Sequence, residues 1–278
     1  MKKYFVCILT IVLISSTGLL AQNRTLKQVM ELKMPKTTDD DMPGTRGAGV
    51  CWNPLTKKYY AAFCGNMAYP MAVFDAAGKR LSDDDLTTMQ DIRGIWYNTT
   101  ANRLMANCYK DNGWISYDLG PTGIPKDFKT KYEGMNQPTE QCVGSYDNKL
   151  KQVFFLSGSK VIRYSEGSLK SSPIAVDSVQ IHWGRKKVDG AGEDEDAEVS
   201  NEDYNYTNVI ATNIPGSEIA VLNTNLYQVE LYNIKDGFLR QILKLPETAK
   251  AEPSFNFAYS NGIWWLFDME KRIWIGCK

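Results

Sequence analysis

One short pattern recurs along this chain and limits its fold more than any other feature. A Gly is followed four residues later by an Asn in three copies, and two weaker copies keep only the Asn; the five are Asn53, Asn98, Asn148, Asn213 and Asn261. Successive copies are 45, 50, 65 and 48 residues apart. A stretch rich in Val, Ile, Trp and Tyr precedes each Asn, and a polar turn and a second apolar run follow, which predicts a β-hairpin. Because Asn tolerates left-handed backbone angles, turn formation explains these residues better than ligand binding.

Two further strands follow the hairpins in the sequence. The third strands read PMAVFD, GWISYDL, KVIRYS, QVELYN and KRIWIG, and the fourth strands of the first four copies read KRLSD, PKDFKTK, SPIAVDSV and LRQILKLP. Four short antiparallel strands in a repeat of ~45 residues are the signature of a β-propeller blade. The pattern predicts an all-β chain that folds as a single propeller of five four-stranded blades.

The two ends of the chain predict how the ring closes. The fifth copy stops at Lys278, after its third strand, whereas the segment LKQVMELKMP at residues 26–35 resembles the fourth strand LRQILKLP and has no blade of its own. We therefore expect this N-terminal strand to pair with the strand around residues 272–276 and to complete the last blade. Such closure pairs strand edges that would otherwise be exposed.

In its repeat pattern the chain resembles β-propellers of the broad WD, NHL and gluconolactonase-like kind, over nearly all of residues 23–278. The GH…WD signature is absent. The first inner strand, RGAGVCW, also has no Glu where the EGP motif of the gluconolactonase-like enzymes would stand. The resemblance therefore implies the architecture and no particular activity.

The long interval between Asn148 and Asn213 leaves the number of blades open. It holds about 20 residues more than a blade requires, so a degenerate sixth blade is one interpretation. The extra residues include the segment GRKKVDGAGEDEDAEVSNED. A charged segment of low complexity cannot bury enough apolar area to offset the entropy of ordering, which favours a loop insertion at about residues 180–205.

The first 21 residues are predicted to be a secretory signal peptide, which leaves residues 22–278 as the propeller domain. Lys2 and Lys3 precede an apolar run from residue 4 to residue 14, and small residues lead to Ala21. The run is shorter than the ~20 residues that a retained membrane anchor needs. We therefore expect an extracytoplasmic protein, periplasmic or secreted, with no stable membrane insertion after cleavage.

Composition narrows the classes of partner and of site. Removing Lys2 and Lys3 from the 32 basic residues leaves 30 against 32 acidic ones, which gives no electrostatic reason to expect nucleic acid as a partner. His182 is the only His, so a His-rich metal site is excluded, and no metal is predicted. The mature chain has five Cys residues without C-x-x-C spacing, and we interpret them as buried free thiols: Cys51, Cys64, Cys108, Cys142 and Cys277.

The starts of the inner strands provide the candidate binding residues. In a propeller these starts gather around one mouth of the central channel, and residues two apart on a strand share a face. The positions seven and five residues before the repeated Asn supply donors, an acceptor and an aromatic ring: Arg46, Asp91, Arg93, Gln141, Tyr206, Asn208 and Asn256. The alternative is that strand starts are polar because they are solvated. In either case we expect the fold not to depend on them.

These features favour a non-catalytic binding or scaffold protein whose partner is an unknown small molecule, glycan or protein. The alternative is an enzyme, a glycoside hydrolase or lactonase, with its site at the channel mouth. Two acids ~5–10 Å apart at the mouth would favour the enzyme, whereas apolar and amide groups alone would favour binding. The sequence identifies neither catalytic residues nor a cofactor.

Overall fold

The computed structural model describes residues 24–36, 45–166, 172–187 and 201–278. The predicted signal peptide lies outside the described residues, and so do residues 188–200 of the predicted insertion. Within the described ranges, no helix has the length and apolar character that crossing a membrane requires.

Five sheets form the blades of a single propeller, as predicted, and consecutive strands within each blade are antiparallel. The first two strands of the chain are β1 (Arg24–Thr25) and β2 (Gln28–Lys33). Blade 1 contains β3 (Arg46–Asn53), β4 (Lys58–Cys64) and β5 (Met71–Phe74), and blade 2 contains β6 (Ile92–Asn98), β7 (Arg103–Cys108), β8 (Trp114–Leu119) and β9 (Pro125–Tyr132). Blade 3 contains β10 (Ser145–Asp147), β11 (Gln152–Ser157), β12 (Lys160–Ser165) and β13 (Ile174–Gln180).

The last two blades incorporate the N-terminal strands. Blade 4 contains β14 (Ile210–Ala211), β15 (Ile219–Asn223), β16 (Gln228–Tyr232) and β17 (Leu239–Lys244), and blade 5 contains β18 (Phe257–Ser260), β19 (Ile263–Asp268) and β20 (Ile273–Cys277). Two 3₁₀ helices complete the described elements, at Lys110–Asn112 and Asn201–Asp203.

The core lies between neighbouring blades, which explains the long apolar runs in the sequence. Strands such as β7 and β15 are covered on both faces, so successive residues are buried where a strand with one solvated face would alternate. Between blades 5 and 1 the packing is tight enough to require Gly47. A Cβ atom there would lie 2.2 Å from the Trp274 ring.

The N-terminal segment closes the ring, which confirms the prediction. Strand β2 pairs antiparallel with β20, in a register that places Glu31 opposite Ile275 and Lys33 opposite Ile273. Strand β1 pairs in parallel with β17 of blade 4, and the Leu26 amide donates to the Lys244 carbonyl at 2.8 Å. A single segment thus completes blade 5 and ties it to blade 4.

The outer edge of blade 1 is irregular. The predicted fourth strand KRLSD forms no regular ladder: it contributes an isolated bridge between Phe74 and Arg80 and a hydrogen bond from the Leu81 amide to the Val73 carbonyl at 2.7 Å, and the Lys79 carbonyl accepts from the Asp75 amide at 2.9 Å. The Val73 amide donates to the Ser82 hydroxyl at 3.1 Å. The Ser82 hydroxyl therefore takes the place of a backbone carbonyl as the acceptor for Val73, and the regular backbone ladder ends at this point.

The two described ends of the predicted insertion pack on blade 4 and add no further sheet among the described residues. The His182 ring stacks on Phe238 with centroids 4.1 Å apart, and Trp183 contacts Tyr204 at 4.4 Å. Tyr204 donates to the buried carboxylate of Glu230 at 3.0 Å. The described residues on either side of the gap are thus anchored to blade 4. They form no sixth blade, and the described residues contain five blades.

Candidate functional site

A cavity of about 450 Å³ opens at the end of the channel where the inner strands run into their first turns. We call this the turn end, and the opposite mouth the strand-start end. Consecutive residues of all five inner strands line the cavity, because the innermost strand of each blade presents its backbone edge to the channel. The first turns of the blades form its rim, with Thr99, Asn148, Lys149, Asn213 and Asn261.

The repeated Asn residues differ in their roles. Asn53 and Asn98 are the last residues of their strands and cap the turns, with their Oδ1 atoms accepting from the amides of Leu55 at 3.0 Å and Ala101 at 2.8 Å. In blade 3 the capping residue is Asp147, which accepts from the amide of Lys149 at 2.8 Å. The repeated Asn of blades 3, 4 and 5 follows the strand by one residue or more and stands on the cavity rim.

These displaced Asn residues join neighbouring blades around the rim. Asn148 accepts from the Thr99 hydroxyl of blade 2 at 2.5 Å. The Lys149 ammonium donates to the Asn213 carbonyl of blade 4 at 2.6 Å. Asn261 donates from its amide nitrogen to the Tyr59 hydroxyl of blade 1 at 2.7 Å. The rim is therefore a set of oriented amide and hydroxyl groups, held in place by contacts between blades.

Aromatic rings contribute the second component of the site. Trp52 and Tyr259 line the cavity and are half-buried. Trp52 packs against Tyr59 with centroids 4.4 Å apart, and Tyr259 against Trp264 at 4.3 Å. Burial raises the pKa of the Tyr259 phenol above its ordinary value. The phenol is therefore neutral at physiological pH, and it can serve as a hydroxyl donor or acceptor.

The lining of the turn-end cavity carries little charge. Its residues include no Asp, Glu, His or Arg, and Lys149 is the single charged side chain among them. The described residues also contain no group of three or more His, Cys, Asp or Glu that could hold a metal ion. Such a cavity can stack a flat apolar surface and exchange hydrogen bonds with uncharged polar groups.

The predicted binding residues lie at the strand-start end, and four of the seven already have protein partners. Arg93 is 5% exposed, pairs with the Asp91 carboxylate and lies over the Tyr109 ring at 4.2 Å. Asn208 is fully buried and donates to the Phe257 carbonyl of blade 5 at 2.7 Å. These contacts give the side chains a role in the fold, contrary to the expectation that the fold does not depend on them.

Asn256 makes the same kind of contact between blades 5 and 1. Its side-chain Oδ1 atom accepts from the Gly47 backbone amide at 2.6 Å. The backbone amide of Asn256 donates to the Gly47 carbonyl at 3.0 Å. The other three predicted residues are more accessible. Arg46 is exposed and lies 5.7 Å from the Phe255 ring centroid, Gln141 is half-buried, and Tyr206 is 62% exposed. Ligand contact by any of the seven stays a prediction.

A β-bulge explains why strict two-residue alternation misplaces side chains at these strand starts. The pairing of β3 with β4 shifts between Gly47 and Gly49, and the pairing of β6 with β7 shifts at the equivalent point. Consequently Ala48 packs between blades 1 and 2, whereas Val50 packs between blades 5 and 1. Residues two apart across a bulge do not share a face.

The five cysteines are free and buried, and none lies beside another as a disulfide. Burial raises the pKa of the Cys64 and Cys108 thiols to about 12, against the opposing effect of the neighbouring Arg93 guanidinium. These thiols therefore stay protonated and packed, as the sequence interpretation expected, and are unsuited to nucleophilic chemistry.

Fold and site together define a five-bladed propeller whose turn-end cavity has a single charged side chain, Lys149. The sequence matches no protein-family model and no curated protein. Among solved structures, the fold is similar to a glutaminyl cyclase of Myxococcus xanthus, at 11% identity and a TM-score of 0.48 over 92% of this chain and 97% of that one. It is also similar to the Cps50 (Swd1) propeller domain of Myceliophteria thermophila, at 8% identity and a TM-score of 0.43 over 83% and 82% of the two chains.

A third similar structure is a streptogramin B lyase, at 11% identity and a TM-score of 0.38, over 85% of this chain and 65% of that one. Identities this low concern the fold alone. TM-scores this low carry no argument about the site.

Proposed function

We propose that this chain is a non-catalytic binding protein that takes an uncharged, polyhydroxylated ligand, such as a sugar, in the turn-end cavity. The observation that carries the proposal is the composition of the lining, which combines half-buried aromatic rings with fixed amides and hydroxyls and has no carboxylate or imidazole. The cavity volume falls in the ordinary range of small-molecule sites, roughly 300–1,000 Å³.

A sugar matches both components of the site. The C–H face of a pyranose ring is apolar and fits against an aromatic ring such as Trp52, while its hydroxyls exchange hydrogen bonds with amides such as Asn148. Because contacts between blades already orient the rim amides, less conformational entropy is lost when a ligand binds.

The alternative function, a glycoside hydrolase or lactonase, has less support. Hydrolysis of a glycosidic bond uses a pair of carboxyl groups, ~5–10 Å apart, on either side of the scissile bond. The lining of the turn-end cavity offers no carboxyl group. At the strand-start end, Asp91 is held by Arg93, and Glu140 accepts from the Tyr109 hydroxyl at 3.0 Å. The binding function therefore fits the described geometry better.

We further propose that the protein works outside the cytoplasm. The basis is the N-terminal sequence, with its two Lys residues, short apolar run and small residues before Gln22. Intact-mass analysis of the protein from separate cell fractions tests this. A chain beginning at Gln22 in the extracytoplasmic fraction would support export, and a full-length chain in the cytoplasm would refute it.

The binding proposal is tested with a glycan array, followed by calorimetry on the tightest neutral oligosaccharide. The test variants remove one aromatic and one amide side chain at the turn end, Trp52→Ala and Asn148→Ala. The matched controls remove one aromatic and one amide side chain at the strand-start end, Tyr206→Ala and Gln141→Ala. We expect the turn-end variants to weaken binding about tenfold or more, ~1.4 kcal/mol, and the strand-start variants to bind normally. The reverse pattern would move the site to the predicted strand-start residues.

A further inference from the structure

A second cavity, of about 460 Å³, lies beside the first and has a different chemical character. It is a groove between the first turns of blades 1 and 2 and the turn at residues 120–123 that follows β8. Tyr97 lines both cavities and forms a wall between them. The two cavities are therefore neighbours, separated by a single side chain.

The groove is held in shape from both blades. Within the turn, the Gly123 amide donates to the Gly120 carbonyl at 2.8 Å. From blade 1, the Tyr60 hydroxyl donates to the Gly123 carbonyl at 2.8 Å, and the Lys58 ammonium donates to the Thr122 carbonyl. The blade 2 wall is thus fixed to blade 1, and the groove is preformed.

The charge of the groove contrasts with that of the channel cavity. Arg103 and Lys129 line it, both are exposed, and neither forms an ion pair with any of the described residues. Asp118 is the single acid in the lining, and its carboxylate already has a cation, the Lys126 ammonium, at 3.8 Å. Two cations therefore remain without a partner beside polar side chains such as Asn102 and Ser116.

We propose that this groove binds an oxyanion, a carboxylate or sulfate group, carried on a sugar next to the unit held in the channel cavity. The guanidinium of Arg103 suits a planar, bidentate contact with such a group, and the ammonium of Lys129 adds a second charge. The ligand class is then an acidic oligosaccharide. This identification of the ligand rests on the proposed function, whereas anion binding by the groove does not.

The first experiment tests the groove without any sugar. In ¹H–¹⁵N NMR spectra of the chain from residue 22, sulfate is titrated against chloride at constant ionic strength. We expect saturable shifts of the Gly120 and Gly123 amides and of the Arg103 Nε–H with sulfate only. The double variant Arg103→Gln/Lys129→Gln should lose the glycine shifts, and Lys131→Gln, a control on the same strand β9 outside the groove lining, should keep them. Shifts that are linear, equal in chloride or unchanged in the double variant would overturn the proposal.

The second experiment tests the ligand class. Oligogalacturonate is compared with its carboxyl-reduced form, which has the same linkages and no charge. We expect the native chain to bind the acidic form about tenfold more tightly at low salt, and this preference to shrink as salt screens the charges. Arg103→Gln/Lys129→Gln should remove the preference and leave the affinity for the reduced form unchanged.

The outcomes separate the two proposals. Equal affinity for both forms would overturn the acidic-oligosaccharide assignment and leave the neutral site intact. Binding of neither form, with saturable sulfate shifts, would count against the sugar site and retain the anion-binding groove. A stronger preference for the reduced form would contradict the groove as an anion site in the bound complex.

Discussion

Arg93 shows at the residue scale how burial changes the role of a charged side chain. Its guanidinium is buried, pairs with Asp91 and also donates to the Ile92 carbonyl at 3.1 Å. Removing one member of a buried ion pair leaves the other charge without compensation, and this typically costs ~3–5 kcal/mol. Because the Asp91 side chain is 23% exposed, water reduces the penalty here.

We predict that Arg93→Ala lowers the free energy of unfolding by about 2 kcal/mol, and that the exposed Arg46→Ala changes it by less than ~0.5 kcal/mol. Urea unfolding of both variants measures the difference. Equal stabilities would mean that the Arg93–Asp91 pair contributes nothing to the fold and would restore the expectation of a dispensable strand start.

The cysteines give a second prediction at the residue scale. Burial raises the pKa of Cys64 and Cys108 to about 12 and that of Cys277 to about 11, and the thiolate is the reactive form. We expect no reaction of the folded chain with Ellman's reagent at pH 8, and all five thiols to react after unfolding without reductant. Fewer than five in the unfolded chain would reveal a disulfide in the mature protein.

At the scale of elements, the N-terminal strand has a disproportionate role because it joins two blades. Leu32 on β2 is fully buried and packs in the cluster around Trp274, whereas Val29 on the same strand is 52% exposed. Truncating a buried Leu removes its transfer free energy and leaves a cavity. The strand therefore contributes core packing as well as edge pairing.

We predict that Leu32→Ala lowers the free energy of unfolding by about 3 kcal/mol, and that the matched Val29→Ala changes it by less than ~0.5 kcal/mol. Deleting residues 22–35 should lower the melting temperature further, because the edge of β20 loses its partner. If that deletion left the melting temperature unchanged, ring closure by this segment would be wrong.

The buried carboxylate of Glu230 anchors the described residues on either side of the predicted insertion. It accepts hydrogen bonds from Tyr204 at 3.0 Å, from Asn223 at 3.0 Å, from Gln228 at 2.6 Å and from Tyr232. Burial, together with the Glu230 charge, raises the pKa of both phenols, so they remain donors. Four donors thus depend on one acceptor group.

We predict that Glu230→Leu lowers the free energy of unfolding by at least ~3 kcal/mol, because several buried donors lose their acceptor at once. Glu230→Gln keeps one acceptor oxygen and should lose less. The two variants are compared by chemical unfolding. Equal losses would show that the carboxylate charge, which both variants remove, matters more than the remaining acceptor oxygen.

The strands were predictable from the sequence wherever they follow the repeat. The location of the candidate binding site at the turn end was not. The hairpins and the N-terminal closure follow from the spacing of apolar runs, which packing between blades dictates. The bulges in β3 and β6 lie between Gly47 and Gly49 and next to Gly94, where Gly also belongs to the repeat, so the sequence does not distinguish bulge from repeat. In blade 3 the turn begins one residue earlier, although the spacing from Gly to Asn is unchanged. Strand β11 begins at Gln152, one residue sooner after the repeated Asn of its blade than β4 and β7 begin in blades 1 and 2. That offset was the available signal that Asn148 lies on the rim.

At the scale of the whole molecule, the two mouths of the channel have different characters. At the strand-start end, buried polar side chains such as Asn208 and Asn256 join blades and leave few groups free. At the turn end, side chains of the first turns join neighbouring blades around the rim, and the cavity remains open. Sequence alone cannot distinguish the mouths, because both gather polar residues from five distant segments.

The most direct test of this account is a crystal structure of the chain from residue 22 with the tightest neutral oligosaccharide. We expect an uncleaved sugar at the turn end, stacked on Trp52 and hydrogen-bonded to rim amides such as Asn148 and Asn261. A sugar bound among Arg46, Gln141 and Tyr206, or cleaved in the crystal, would contradict it.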